Sequence, residues 1–295
     1  MSGIKFISFC KLIFLIMFAL SLSSCLKDAE CHFSYRVHIK INDKPGSVDS
    51  VSLYVFTEND LLKEILNVPV EQTSSEVCIP LNHLQAGKYT FVVWGNLKDK
   101  QLKPDASVLS LPDAYVCLKA KENGTYESPD DLFYGSLSTS IDKTISYEDE
   151  VLISRTVGAV IIKAYNLMPF YEKEDTCFSM CLNSSLVQIP FIHDLANGTN
   201  NLSPSDILPC FETQSHWGQN YELLQSEPFL VFPSAQASNL MVDIYYKGEK
   251  LNTYELKNTV KANKIVEITL NFWNQNPEQW FNILDWSTIF QEPNF

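Results

Sequence analysis

Cysteine carries most of the chemistry in this chain of 295 residues, which holds eight of them. Cys25 closes the run Leu22-Ser23-Ser24-Cys25, which has the form of a bacterial lipobox. By that resemblance Cys25 takes lipid and becomes the first residue of the mature chain; an ordinary signal peptide with an incidental cysteine is the alternative. Cys10 lies upstream and is discarded with the leader. Six cysteines remain: Cys31, Cys78, Cys117, Cys177, Cys181 and Cys210. An even number in an exported chain allows up to three disulfides, and the spacing alone leaves the pairing open. A Cys31–Cys78 bond would close a loop of about fifty residues and add roughly 4 kcal/mol in the chain-entropy view. Buried free thiols are the alternative. Cys177 and Cys181 are not spaced as C-x-x-C, and no histidine pair stands nearby, so no zinc site is expected.

Catalytic patterns are missing from the sequence. It has no G-x-G-x-x-G, P-loop, G-x-S-x-G or H-E-x-x-H segment. The five histidines, His32, His38, His83, His193 and His216, are scattered. Asp130-Asp131 reads as a turn cap, because neighbouring residues of a strand point to opposite faces and no EF-hand spacing follows. Trp217, Trp273, Trp280 and Trp286 could stack on sugars, although aromatics of a β-rich chain mostly fill cores. Arg155 interrupts an apolar run and is expected to serve structure through a local carboxylate or carbonyl. The reading is a non-enzyme without cofactor or metal. The net charge of -13, near -15 once the leader is gone, argues against nucleic acid and against adhesion to anionic lipid by charge.

The elements that would position these groups begin with a leader. Lys5 and Lys11 flank the start of an apolar run, Leu12–Leu20, too short for the roughly 20 residues of a membrane span. Residues 1–24 form the signal peptide and 25–34 a lipidated tether. Tyr35–Ile41 alternates, with Tyr35, Val37, Ile39 and Ile41 on one face and Arg36, His38 and Lys40 on the other. Further strands are expected at Val48–Phe56, Leu61–Val70, Glu76–Leu81, Lys88–Trp94, Ala114–Ala120 and Ser136–Ile141, with Asn123-Gly124 as a hairpin turn. Val151–Leu167 reads as two β segments around Arg155–Gly158. Residues 169–230, with five prolines, follow no regular pattern. Strands return at Phe229–Phe232, Asn239–Tyr246, Lys250–Leu256 and Lys264–Phe272. No helical period is sustained. Many short strands between turns indicate an all-β protein of two tandem sandwiches, 35–149 and 150–295.

Several segments, taken in order, resemble the fimbrial-anchor lipoproteins of Bacteroidetes, the FimB type. These are the lipobox followed by Cys31, the alternating strand Tyr35–Ile41, and Val48–Phe56 ending in Leu-Tyr-Val-Phe. Gly87–Gly95, Asp131–Ser136, Val151–Ile162 and the closing Asp285-Trp286 follow. Lys27 with Asp28 and Glu30 resembles the surface-export tag of such lipoproteins, which implies an outer-membrane location through the lipid on Cys25. The resemblance implies transthyretin-like sandwiches and pilin subunits as partners, joined by strand exchange. Tyr35–Ile41 is then the candidate edge strand for the partner, because it follows the tether directly. Arg36 is read as lying on the polar face rather than as a maturation cleavage site. An accessory or tip adhesin subunit, or a surface glycan-binding lipoprotein, are the alternative functions.

Overall fold

The computed structural model describes residues 33–98, 102–103, 109–183, 186–192, 210–234, 239–273 and 277–288. Signal peptide, lipobox, Cys25 and Cys31 lie outside the described residues, as does His193.

The first half forms a seven-stranded sheet in the order β3-β2-β5-β8-β9-β1-β4. Its strands are β1 (Tyr35–Ile41), β2 (Ser50–Thr57), β3 (Leu62–Pro69), β4 (Glu76–Pro80), β5 (Gly87–Gly95), β8 (Phe133–Ile141) and β9 (Tyr147–Arg155). β8 and β9 share only the pairs Phe133–Arg155 and Tyr134–Ser154, after which β9 runs parallel to β1 over seven pairs. The sheet therefore turns over on itself at that corner and makes two layers. Alternate residues of β1 and β9 meet alternate residues of β2 and β5 in one core, with Val37, Ile39, Leu53 and Phe91 fully buried. Period-two alternation in β1 thus marks a strand with one wet face, as its sequence indicates.

β2 and β5 read instead as nearly continuous apolar runs because both of their faces are covered. Tyr54, Phe56, Val92 and Trp94 point away from the first core into a second one. That core also takes Phe191, whose ring lies 4.9 Å from Tyr54 and 5.7 Å from Trp94, and whose carbonyl accepts from the Tyr134 hydroxyl at 2.6 Å. Two short strands bridge the halves here: β7 (Tyr115–Cys117) pairs with β12 (Gln188–Pro190) on one side and with β6 (Leu102–Lys103) on the other.

The second half packs two sheets. One has the order β14-β15-β10-β19-β20, with β16 also on β10; the other is β13-β11-β17-β18. Their strands are β10 (Gly158–Tyr165), β11 (Phe178–Asn183), β13 (Cys210–Glu212), β14 (Ser215–Trp217), β15 (Leu223–Ser226), β16 (Phe229–Val231), β17 (Leu240–Tyr246), β18 (Glu249–Leu256), β19 (Lys264–Asn271) and β20 (Glu278–Asp285). Val160 and Ile162 of β10, Met180 of β11, Val242 of β17 and Ile268 of β19 fill the space between them. The only α-helix among the described residues is one turn, Leu167–Phe170.

The expected all-β architecture is present, with three differences. β9 carries the first sheet through Arg155, so the chain passes between sandwiches at Thr156-Val157 rather than at residue 150. The stretch read as patternless supplies β11 to β15, short strands that, apart from the local β14–β15 pair, are set by partners far away in sequence. The C-terminal tail contains β20, paired with β19 over eight residues.

Candidate functional site

The candidate edge strand is not at an edge. β1 pairs with β9 on one side and antiparallel with β4 on the other, so its backbone groups are already engaged. Tyr35, Val37, Ile39 and Ile41 are buried in the first core, and none is presented to a partner. The parallel partner arrives from residue 147, a non-local pairing that alternation within β1 does not reveal. The outer face of β1 carries a row of ion pairs instead. Arg36 faces Glu148 at 3.7 Å, and Lys40 pairs with Glu150. His38 lies between Glu76, 2.5 Å from Nδ1, and Glu148, 3.2 Å from Nε2. Such exposed pairs contribute little stability individually. Among the described residues no group of His, Cys, Asp and Glu is placed to hold a metal ion.

The open edges lie elsewhere. In the first sandwich they are β3 and β4. The start of β3 is covered, because Leu62 N donates to Leu109 O at 3.2 Å and Leu111 N to Asp60 O at 2.8 Å. β4 stands next to β1, and among the described residues no strand lies on its far side. It is five residues long, ends in Pro80, and exposes Glu76 and Cys78. Shortness, a charge and a proline are the usual guards of an edge that must not pair at random.

The cysteines divide. Cys181 and Cys210 form a disulfide, with 6.0 Å between Cα atoms, that ties β13 to β11. Cys78 and Cys177 are exposed free thiols. Cys117 is half-buried, with its sulfur 4.0 Å from Gln188 Oε1. The bond spans 29 residues of sequence. Replacing Cys181 and Cys210 by serine is expected to lower stability by about 3 kcal/mol. Urea unfolding with and without reductant checks this; a variant as stable as the oxidised protein would rule the crosslink out.

Arg155 is a buried, heavily engaged charge. Its side chain is 4% exposed. Nε and Nη2 donate to the two Asp131 oxygens at 2.6 and 2.9 Å, and Nη1 donates to Asn263 at 3.1 Å and pairs with Asp43. Its guanidinium lies 4.7 Å from the Phe133 ring centroid and 4.1 Å from that of Trp286. Asp43, Asp131 and Phe133 belong to the first sandwich; Asn263 and Trp286 belong to the second. Arg155 therefore joins the two halves, in keeping with the structural role expected for it. Asp130 and Asp131 are not turn caps: Asp130 pairs with Lys98 at 2.5 Å, and Asp131 holds Arg155. The neighbouring carboxylates gave no hint of this, since the arginine lies 24 residues on.

The tryptophans do not assemble into a platform. Trp286 lies on Arg155. Trp217 packs on Phe178 and donates Nε1 to Thr176 O at 3.0 Å. Trp280 and Trp273 are exposed, on β20 and just after β19. No helix among the described residues is long and apolar enough to cross a membrane.

The described residues form two packed β-sandwiches. The same fold occurs in the fimbrial anchor protein Mfa2 from Porphyromonas gingivalis, at 12% identity and a TM-score of 0.60 over 85% of this chain and 99% of that one. It occurs too in a Bacteroides thetaiotaomicron protein classed as polysaccharide-binding, at 13% identity and a TM-score of 0.63 over 86% and 98%. A Bacteroides ovatus protein classed as an adhesin gives 13% and 0.60 over 85% and 95%. No curated protein gives a significant match by sequence. The family model of the fimbrillin-A associated anchor proteins Mfa1 and Mfa2 matches residues 22–292, and the chain belongs to that family.

Proposed function

We propose that this protein is a lipid-anchored base of a fimbrium on the outer membrane. Cys25 carries the lipid, and pilin subunits attach by strand addition to an open sheet edge. Membership in the anchor family is the observation that carries this reading. The geometry of β1 supports it. The strand begins about ten residues after the lipidated cysteine and is held by two ladders, so tension from the tether enters a strand clamped on both sides. Acyl chains hold a protein at about 0.8 kcal/mol per buried CH2, and more than one chain is needed for stable attachment. A multiply acylated Cys25 meets that need. β4 replaces β1 as the preferred acceptor edge, because among the described residues no strand pairs with its far side and Pro80 stands opposite Arg36, at the start of β1.

Two measurements test the reading. Deleting the gene and imaging the cells is expected to show fimbriae that are lost, overlong or shed into the medium. Normal, attached fimbriae would sink the proposal. Cys25→Ala is expected to move the protein from the membrane fraction to the soluble fraction; if it stays on the membrane, the lipid assignment fails.

A further inference from the structure

The seam between the two halves contains a cleft of about 340 Å3. One wall is the segment from Tyr126 to Ser128, which belongs to the first half. The others are β13 with the turn after it, and the start of β16. Hydrogen bonds within the chain fix these walls. Tyr126 N donates to Cys210 O at 2.9 Å, and Glu227 N to Gln214 O at 2.8 Å. The Ser128 hydroxyl donates to Leu230 O at 2.7 Å and accepts from Leu230 N at 2.9 Å. The disulfide at Cys210 secures β13 from behind. The cleft is thus preformed, and a seam between packed units is where small-molecule sites tend to occur.

Its lining combines two chemistries. Tyr126 and Phe229 are half-buried rings, and Phe229 is backed by the buried Phe211 at 6.3 Å between centroids. Around them stand Glu127, Glu212, Gln214 and Glu227. Each of these ends in a planar group with two hydrogen-bonding atoms. Flat apolar surface beside planar bidentate groups fits a pyranose ring, which has a C–H face and vicinal hydroxyls.

Charge narrows the class. Lys119 holds Glu127 at 2.7 Å, His216 lies 3.2 Å from Glu227, and Lys121 lines the same cleft. Two lysines stand against three carboxylates, which leaves a small negative excess: too weak to hold a cation by charge alone, and unfavourable for an anionic sugar. We propose that this cleft binds a short neutral oligosaccharide. Its volume lies at the low end of the roughly 300–1,000 Å3 usual for small-molecule sites, which suits a di- or trisaccharide.

The test is calorimetric titration of the full chain in detergent with neutral di- to tetrasaccharides of gluco, manno and galacto configuration. One series is expected to bind. Phe229→Ala and Glu212→Gln are each expected to weaken that binding at least about tenfold. Glu212 is exposed, so Glu212→Gln should keep the melting temperature of the parent, and any loss reads the site rather than the fold. Trp280→Ala, away from the cleft, should bind as the parent does. Absence of heat with every saccharide at ~10 mM, or binding untouched by Phe229→Ala and Glu212→Gln, would overturn the proposal. Neither result bears on fimbrial attachment, which the gene deletion reads separately.

Discussion

Alanine at Gly135 is expected to cost more than about 3 kcal/mol, and the variant should accumulate poorly as folded protein. The reason is the corner where β8 meets β9. A Cβ added to Gly135 would lie 2.4 Å from Leu152 O and 3.1 Å from both Leu152 C and Ile153 Cγ2. The nearest atom is backbone, so no rotamer change relieves the clash. Moving β9 away would loosen the two residue pairs that close this corner and disturb its seven-pair ladder with β1. Glycine within a strand often marks such a close backbone approach. Gly124→Ala is the control. It sits at φ +81, in open space, with nothing within 4 Å of an added Cβ. Only the left-handed penalty of about 1 kcal/mol applies there. Urea denaturation of the two variants against the parent makes the comparison. If Gly135→Ala is no worse than Gly124→Ala, the corner is not as tight as described.

Arg155→Met is expected to lower stability by about 3 kcal/mol, at the low end for breaking a buried pair, because Asp131 keeps 31% of its side chain exposed. In melting temperature this amounts to roughly 6–10 °C for a chain of this size. The substitution removes the clasp on Asp131, the bond to Asn263 and the stacking under Trp286 together, so the loss falls on the joint between the halves. Arg155→Lys should recover only part of it, since an ammonium cannot reproduce the bidentate fork.

The pH dependence follows from Asp131. Burial pushes its carboxyl above the usual range and the charge of Asp43 adds to this, while Arg155 pulls it down; the net displacement is upward. A carboxyl whose folded pKa is raised favours the folded state below its unfolded pKa, and that contribution is lost as pH rises through the folded value. Without Arg155 the upward displacement grows. The stability gap between parent and Arg155→Met should therefore narrow from pH 7 to pH 5, read by denaturant titration at both. A gap that stays constant would show that Arg155 does not set the Asp131 charge.

Much of this protein was legible locally. Alternation in Tyr35–Ile41 gave a strand with one wet face, because side chains of a strand point to opposite sides whatever its neighbours are. The apolar runs in β2 and β5 signalled strands, and Asn123-Gly124 a turn. The cysteine at the end of Leu22-Ser23-Ser24 rests on the motif itself. What the sequence could not carry was pairing across distance. Whether β1 has a free side depends on a strand more than a hundred residues away; both of its sides are paired, and the edge is β4 instead. Arg155 was recognised as structural, but not as the joint, because its partners Asp43, Asp131, Asn263 and Trp286 converge only when both sandwiches pack. β20 is not among the strands expected from sequence because its apolar residues lie along an exposed edge and show no clean period. The cleft at Tyr126 and Phe229 comes from segments about a hundred residues apart in the chain. Local sequence fixes the conformation of a strand and the face it buries. Edges, joints and clefts are relations between strands, and only the tertiary structure decides them.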